Sequence, residues 1–327
     1  MKISEIYLYP IKSLRGTRVS EALATKHGFQ YDRRFMLLKP ESDGYKNLLV
    51  SGQNEMVFFL TNITLPQNED QGPGSVQVTY TGPRSCGNKS LTVPLRPADT
   101  LEKIDITMHN SPTSAYKMLD EYNAWFSACF GYDVVLAYLG GNRRKVLFEE
   151  MQPKPGSWLS TLSSTILGSS GTGGTEITFA DCAPFLVVSK TSLDDVSSRL
   201  PVGEHMDVTK FRPNIVIEGA DEPWEEDFWG QLSIGGVALT CAHNCVRCQS
   251  INIDYSTGAQ GTGESGKVLK KLQKDRRVDQ GAKWSPVFGR YTYWNTKTEQ
   301  QPLKVGDQVE VIQRNSERTV WSWKGLG

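Results

Sequence analysis

The feature that most narrows the folds open to this chain is a train of short segments in which apolar and polar residues alternate, each ended by Gly, Pro, Asn or Asp. In the first hundred residues these are 3–11 (ISEIYLYPI), 33–40 (RRFMLLKP), 47–52 (NLLVSG), 56–65 (MVFFLTNITL), 75–82 (SVQVTYTG) and 89–95 (KSLTVPL). Alternation of period two puts one side of a strand on a core and the other in water, and turn residues between runs fold each strand back on its neighbour. The pattern predicts an antiparallel barrel or sandwich. A helix is predicted over 114–130, where Ala115, Met118, Leu119, Tyr122, Trp125 and Phe126 recur at three-and-four spacing, and its expected place is across a barrel as a plug or cover.

Strand patterns dominate again from 177 to 189 and through 209–219, 229–258, 287–294 and 307–314, with helices expected from Ser192 to about Leu200 and near Lys267–Lys274. Between the halves, residues 162–176 are rich in Ser, Thr and Gly and read as a flexible surface loop. A chain of 327 residues is long for one small domain and comfortable for two. The expected fold class is therefore mainly β (α+β), with two non-identical β-barrel lobes over 1–138 and 139–327 and helices at their periphery.

Thirty-six Lys and Arg balance thirty-six Asp and Glu, so no general basic field exists for nucleic acid or an anionic membrane, and any basic site must be local. The N-terminus alternates like a strand and lacks the apolar core of a signal peptide, and no run of about eighteen apolar residues occurs. The expected compartment is the cytoplasm, with mitochondrial association left open and no anchor visible. On that expectation the six cysteines are reduced.

Three of those cysteines, Cys241, Cys245 and Cys248, fall within eight residues. The pair Cys245-Val246-Arg247-Cys248 has the spacing of a zinc knuckle, of a dithiol redox pair, or of a site where one thiolate is a metal ligand. Structural zinc wants four ligands, and His243 and Cys241 crowd them into too short a stretch for a closed tetrahedron. A dithiol redox pair opens a helix whose N-terminus lowers the thiol pKa, whereas 249–254 alternates like a strand before the turn at 255–258. Buried inert cysteines remain a further reading, and spacing alone does not decide among them.

The segment TKFRPNIVI, the Cys-x-x-Cys followed by an Asp-x-x-Thr-Gly turn, and the closing SPVFGRYTYW together resemble the MOSC domain family, the fold shared by the C-terminal part of molybdenum cofactor sulfurases and by the amidoxime-reducing components. The opening YLYPIKSLRG and HGFQYDRRFML resemble the MOSC N-terminal β-barrel that accompanies that domain. The resemblance spans nearly the whole chain, with five separated blocks in the family's order.

That resemblance implies a molybdenum-molybdopterin cofactor whose metal is ligated by Cys248, the catalytic residue, with Cys245 as its neighbour. A soft thiolate suits molybdenum, since sulfur donors tolerate the change between oxidation states. For the cofactor's phosphate and pterin it points to Lys12 and Ser13, to an Arg of DRRF with Arg34 ahead of Arg33, to Arg212 and Asn214 of FRPN, and to Asp181, Cys182 and Ala183. Val246, Arg247 and Tyr291 complete the set. Hydroxyl-bearing residues that some members carry at 182 and 183 are replaced here, leaving backbone amides for that contact. Taken alone, a single Arg is more often a solvated surface charge and Tyr291 is as readily core; only the motif raises them.

The implied reaction is reduction of N-hydroxylated substrates such as amidoximes and hydroxylamines. No G-x-G-x-x-G after a strand is present, so electrons are expected from a separate protein, by family analogy cytochrome b5 with its NADH-dependent reductase. The alternative is a cofactor carrier or sulfur-transfer module akin to the sulfurases' terminal domain. A sulfurase's pyridoxal phosphate domain has no room in 327 residues already assigned to two barrels. Trp224, Phe228 and Trp229 are expected to be packing aromatics, the Gly-rich stretch ending in Gly266-Lys267 lacks the full phosphate-loop spacing, and the four histidines form no ligand pattern.

Overall fold

A computed structural model of the chain describes residues 1–66, 72–97, 101–151 and 175–326. The expected surface loop at 162–176 lies outside the described residues except for its last two. Thr175 accepts a backbone hydrogen bond from Val146, and Glu176 opens a short strand, Glu176–Ile177.

The molecule is predominantly β, its sheets forming a nearly closed barrel and a half-barrel. The largest sheet has eight strands in the order Thr17–Val19, Lys2–Leu8, Ile215–Glu218, Phe185–Ser189, Val287–Trp294, Val237–Val246, Trp229–Ile234 and Val309–Arg314. The first strand of the chain thus pairs with a strand of the second half, Ile3 opposite Ile217 and Ile6 opposite Ile215. All but one of the pairings in this sheet are antiparallel. The exception joins Phe185–Ser189 to Ile215–Glu218 in parallel, and the connection a parallel pair requires carries the helix Lys190–Ser198.

A five-stranded sheet, Glu102–Met108, Ser111–Lys117, Val135–Tyr138, Phe35–Glu41 and Gly44–Asn47, belongs to the first half, as does the three-stranded sheet Phe59–Thr64, Ser75–Tyr80 and Ser90–Pro94. The helix Asp120–Phe130 lies over the three-stranded sheet with Phe126 and Phe130 against the ring of Phe59.

The structure corrects three local expectations. Residues 114–117 are not helical. They end the strand Ser111–Lys117, whose partner Glu102–Met108 takes every residue of it in register, and Leu119, expected in the apolar stripe, is 56% exposed. Residues 48–52 are not strand, because pairing stops at Asn47 and the chain turns at Leu49, whose carbonyl accepts from Gly52 and Gln53. Residues 249–252 form a 3₁₀ turn rather than a strand, closed by Ile251 N–H donating to the carbonyl of Cys248.

Candidate functional site

The strand Val237–Val246 carries two bulges against its neighbour Val287–Trp294, one between Cys241 and His243 and one between Asn244 and Val246. A bulge re-aims the residues after it. Cys241 consequently sits in the core around Trp229 and Leu232, whereas Cys245, at an even spacing that would otherwise share its face, joins the core of Phe211 and Tyr291. The three clustered cysteines are therefore split, and only Cys245 and Cys248 reach the same cavity.

That cavity, roughly 290 Å³, lies where the end of this strand meets the N-terminal segment of the chain. Its lining includes Lys12, Ser13, Arg33, Asp181, Cys182, Ala183, Arg212, Asn214, Cys245, Val246, Arg247, Cys248 and Tyr291. Arg34 is turned away, donating to the carbonyl of Gly140. Arg33 rather than Arg34 faces the cavity.

Cys248 is exposed, with Sγ 3.2 Å from Ser250 Oγ. Cys245 is buried, and burial raises its thiol pKa against the opposing pull of Arg247. Burial pushes the Cys182 thiol and the Tyr291 phenol well up as well, so these three groups stay protonated and neutral around the cavity's apolar wall.

The cationic wall is assembled across the two halves. Tyr9, fully buried, is flanked by two guanidinium groups, Arg33 at 4.6 Å and Arg212 at 4.5 Å from its ring centroid. Asp32, also buried, accepts from Tyr9 N–H at 2.8 Å and from Arg33, whose remaining donors reach Asn214 Oδ1 at 3.1 Å and the Arg212 carbonyl at 3.1 Å. Arg212 donates through Nη1 to the Leu14 carbonyl at 2.8 Å, while its Nη2 is buried with no partner among the described residues. Burial lowers the pKa of Arg212. An unpartnered charged donor of this kind is costly unless a ligand accepts from it.

Lys12, 3% exposed, donates to Asp181 at 2.5 Å. Burial alone would lower the lysine and raise the carboxylate. For Asp181 the Lys12 charge and His109, whose Nε2 lies 3.0 Å from Oδ1, outweigh burial and hold the carboxyl well below the usual range. Arg144, fully buried, donates to the carbonyls of Thr178, Met108, Ala180 and Asp181 and so fixes the backbone of this segment, with burial lowering its own pKa to about 10.

Two of the expected ligand residues also brace the cavity through their side chains. The Asn214 amide is committed to Arg33, to Leu186 N–H at 3.2 Å and to the Tyr7 carbonyl at 3.3 Å. Each guanidinium nitrogen of Arg247 donates to a carbonyl of Phe211 or Phe288, with the group 5.2 Å and 5.7 Å from the centroids of those two rings. Both line the cavity while their side chains hold its walls.

Sequence reasoning missed Tyr9, Asp32, His109, Arg144, Lys210 and Trp321. His109 stands 72 residues from Asp181 and was set aside as isolated; nothing in its local pattern reports the contact. One local signal recurs at the site only in three dimensions. Ser13, Arg33, His109 and Arg212 all have left-handed backbone, with φ of 68°, 50°, 52° and 56°. Side-chain-bearing residues adopt that region at a cost of about 1 kcal/mol or more, and such outliers gather at ligand sites.

Among the described residues no group of three or more His, Cys, Asp and Glu is arranged to hold a metal ion, and no helix is long and apolar enough to cross a membrane. A metal bound at Cys248 would have to bring most of its ligands with it.

Residues 1–133 match the family model of the MOSC N-terminal beta barrel domain, and residues 174–310 that of the MOSC domain. The chain is 27% identical to mitochondrial amidoxime-reducing component 1 of Mus musculus, over 95% of this chain and 82% of that one, and 28% identical to mitochondrial amidoxime reducing component 2 of Rattus norvegicus, over 94% and 82%. It is also 27% identical to the molybdenum cofactor sulfurase of Oryza sativa subsp. japonica, over 83% of this chain and 30% of the sulfurase.

Proposed function

The chain belongs to the MOSC domain family, its MOSC domain preceded by a MOSC N-terminal beta barrel domain, and on that premise we propose that it is a molybdenum-cofactor-dependent oxidoreductase that reduces N-hydroxylated substrates with electrons from an external donor. Cytochrome b5 and its NADH-dependent reductase are the proposed donors.

The observation that carries this reading is the pairing, in one cavity, of an exposed thiol with a buried cationic wall that has a donor to spare. A thiolate on Cys248 suits a soft metal, and Lys12, Ser13, Arg33 and Arg212 suit a phosphate. Arg212 Nη2 is the donor a phosphate oxygen would satisfy. Backbone amides of Asp181, Cys182 and Ala183 are left for the edges of a pterin, whereas the Arg247 N–H is taken by the Pro286 carbonyl.

When bound, the molybdenum cofactor supplies a two-electron reductant; the chain supplies the rest. Burial holds the Cys245 and Cys182 thiols protonated, which leaves the exposed Cys248 as the thiol open to metal ligation and disfavours exchange between the pair. Removing an N-hydroxyl group as water consumes two protons for every two electrons. His109 Nε2 lies 3.0 Å from Asp181 Oδ1 at the cavity wall, a pair placed to pass a proton to a bound substrate.

The test is metal content and turnover after expression in a host that makes the cofactor. Wild type is expected to carry about one molybdenum per chain and to convert benzamidoxime to benzamidine with dithionite as donor, and Cys248→Ser to lose both. Loaded protein that leaves benzamidoxime untouched yet passes its cofactor to an apo-enzyme would place the chain with the carrier reading instead.

A further inference from the structure

Chain neutrality hides a local imbalance at the thiol. The Cys248 turn is bracketed by hydrogen bonds to the two ends of one excursion of the chain: Leu269 N–H donates to Asn252 Oδ1 at 3.0 Å, and Arg247 N–H donates to the Pro286 carbonyl at 2.8 Å. The stretch between, a rim that opens with the short helix Val268–Leu272, thus leaves from and returns to the Cys248 turn.

The charges on that rim are mostly of one sign. Its acidic groups are already engaged: Asp275 pairs with Arg199, and Asp279, buried, accepts from the N–H groups of Gly281 and Trp321. Glu264, just before the helix, pairs with Lys267 and Lys271, and Arg276 is buried against Asp227. Lys270, Lys274, Arg277 and Lys283 remain exposed, and none forms an ion pair among the described residues. Beside them Trp284 is 82% exposed, on a loop packed against the segment that carries the half-exposed Val320.

We propose that this rim is the docking face for an acidic one-electron carrier protein, which delivers electrons at the Cys248 end of the cavity. The inference rests on the reductase reading above. An apolar centre ringed by unpaired charges of one sign suits a small, short-lived complex in which charge steers the approach and the aromatic makes the contact. The balance requires two deliveries for each turnover: R–NH–OH + 2 e⁻ + 2 H⁺ → R–NH₂ + H₂O, the carrier being oxidised by one electron each time and water supplying the protons. Four unpaired cations suit a partner of opposite sign, and in a chain with no net charge the attraction must come from such a local group.

The probe is the soluble haem domain of cytochrome b5, in a form of net negative charge. Its dissociation constant for the protein is measured by calorimetric titration, with and without molybdenum cofactor, and its reoxidation by loaded protein is followed by stopped flow. In the variant carrying Lys270→Glu, Lys274→Glu, Arg277→Glu and Lys283→Glu, affinity and the second-order rate are expected to fall by about tenfold or more, as they should for wild type between about 0.05 M and about 0.5 M salt. Trp284→Ala is expected to weaken binding without changing the salt slope. Dithionite-driven turnover stays at the wild-type value in both variants, because none of these residues lines the cavity. Unchanged affinity in the fourfold variant, or salt-independent binding, overturns the docking face. Loss of dithionite-driven turnover in the wild type overturns the reductase reading, and the titration still decides whether the rim binds the carrier.

Discussion

At the scale of single residues, the buried charges away from the cavity separate the groups that bind from those that only stabilise. Glu226 has no exposed surface; Ser192 Oγ donates to its Oε2 at 2.7 Å, and Oε1 has no partner. Burial, against that hydrogen bond, raises its pKa to about 7. A carboxyl raised in the folded state above its ordinary value binds more protons folded than unfolded, so stability is greatest below the ordinary value and falls as pH rises toward 7. Glu226→Gln is therefore expected to melt like wild type at pH 4.5 and to be more stable by up to about 3 kcal/mol at pH 8, read by thermal denaturation at both pH values. A variant that gains nothing at pH 8 refutes the linkage. The residues that line the cavity were legible in the sequence only through motif: YPIKS, FRPN and CVRC pointed to Lys12, Arg212 and Cys248, and DRRF to Arg34 ahead of Arg33, of which Arg33 lines it. The choice between Arg33 and Arg34 was not legible, because it turns on the left-handed backbone at Arg33, which aims that side chain at Asp32 and Asn214.

At the scale of elements, period-two patterning located most strands and the left-handed Gly131 closed the helix Asp120–Phe130 as such a cap should. It failed where pairing rather than side-chain pattern sets the element. Ser111–Lys117 contains helix-compatible spacing but is claimed by Glu102–Met108, and 249–252 alternates yet has no partner strand. Bulges were invisible because they depend on the neighbouring strand, Val287–Trp294. That strand holds the tightest element-level requirement. Gly289 has φ of 83°, and a Cβ there would lie 2.8 Å from the Val187 carbonyl and 3.3 Å from Arg247 Nη2. Gly289→Ala should cost at least about 2 kcal/mol and displace Arg247 from the carbonyls of Phe211 and Phe288, so lowered melting temperature and lowered molybdenum content are expected together. A normal melting curve with full metal content would show that the strand can shift to accommodate the methyl group.

At the scale of the whole molecule, the two lobes expected from the sequence are joined more deeply than a linker joins domains. Lys2–Leu8 lies inside the eight-stranded sheet between Thr17–Val19 and Ile215–Glu218, and Tyr9 and Asp32 from the first half orient Arg212 and Asn214 from the second. Residues 139–327 expressed alone are expected to lack a cooperative unfolding transition, because the strand Ile215–Glu218 is left with an open apolar edge. A sharp melt of that fragment would contradict this. The same arrangement has a consequence for synthesis. Lys2–Leu8 is made before its partner strand Ile215–Glu218, which follows some two hundred residues later, as the Ser4–Val216 contact shows. At ordinary translation rates the edge of Lys2–Leu8 that Ile215–Glu218 covers waits roughly 10 to 40 s for its partner. For that interval the strand has Thr17–Val19 beside it but lacks the packing that the second half brings to Ile3, Ile6 and Leu8, and yield in a cell depends on what keeps those residues from other chains.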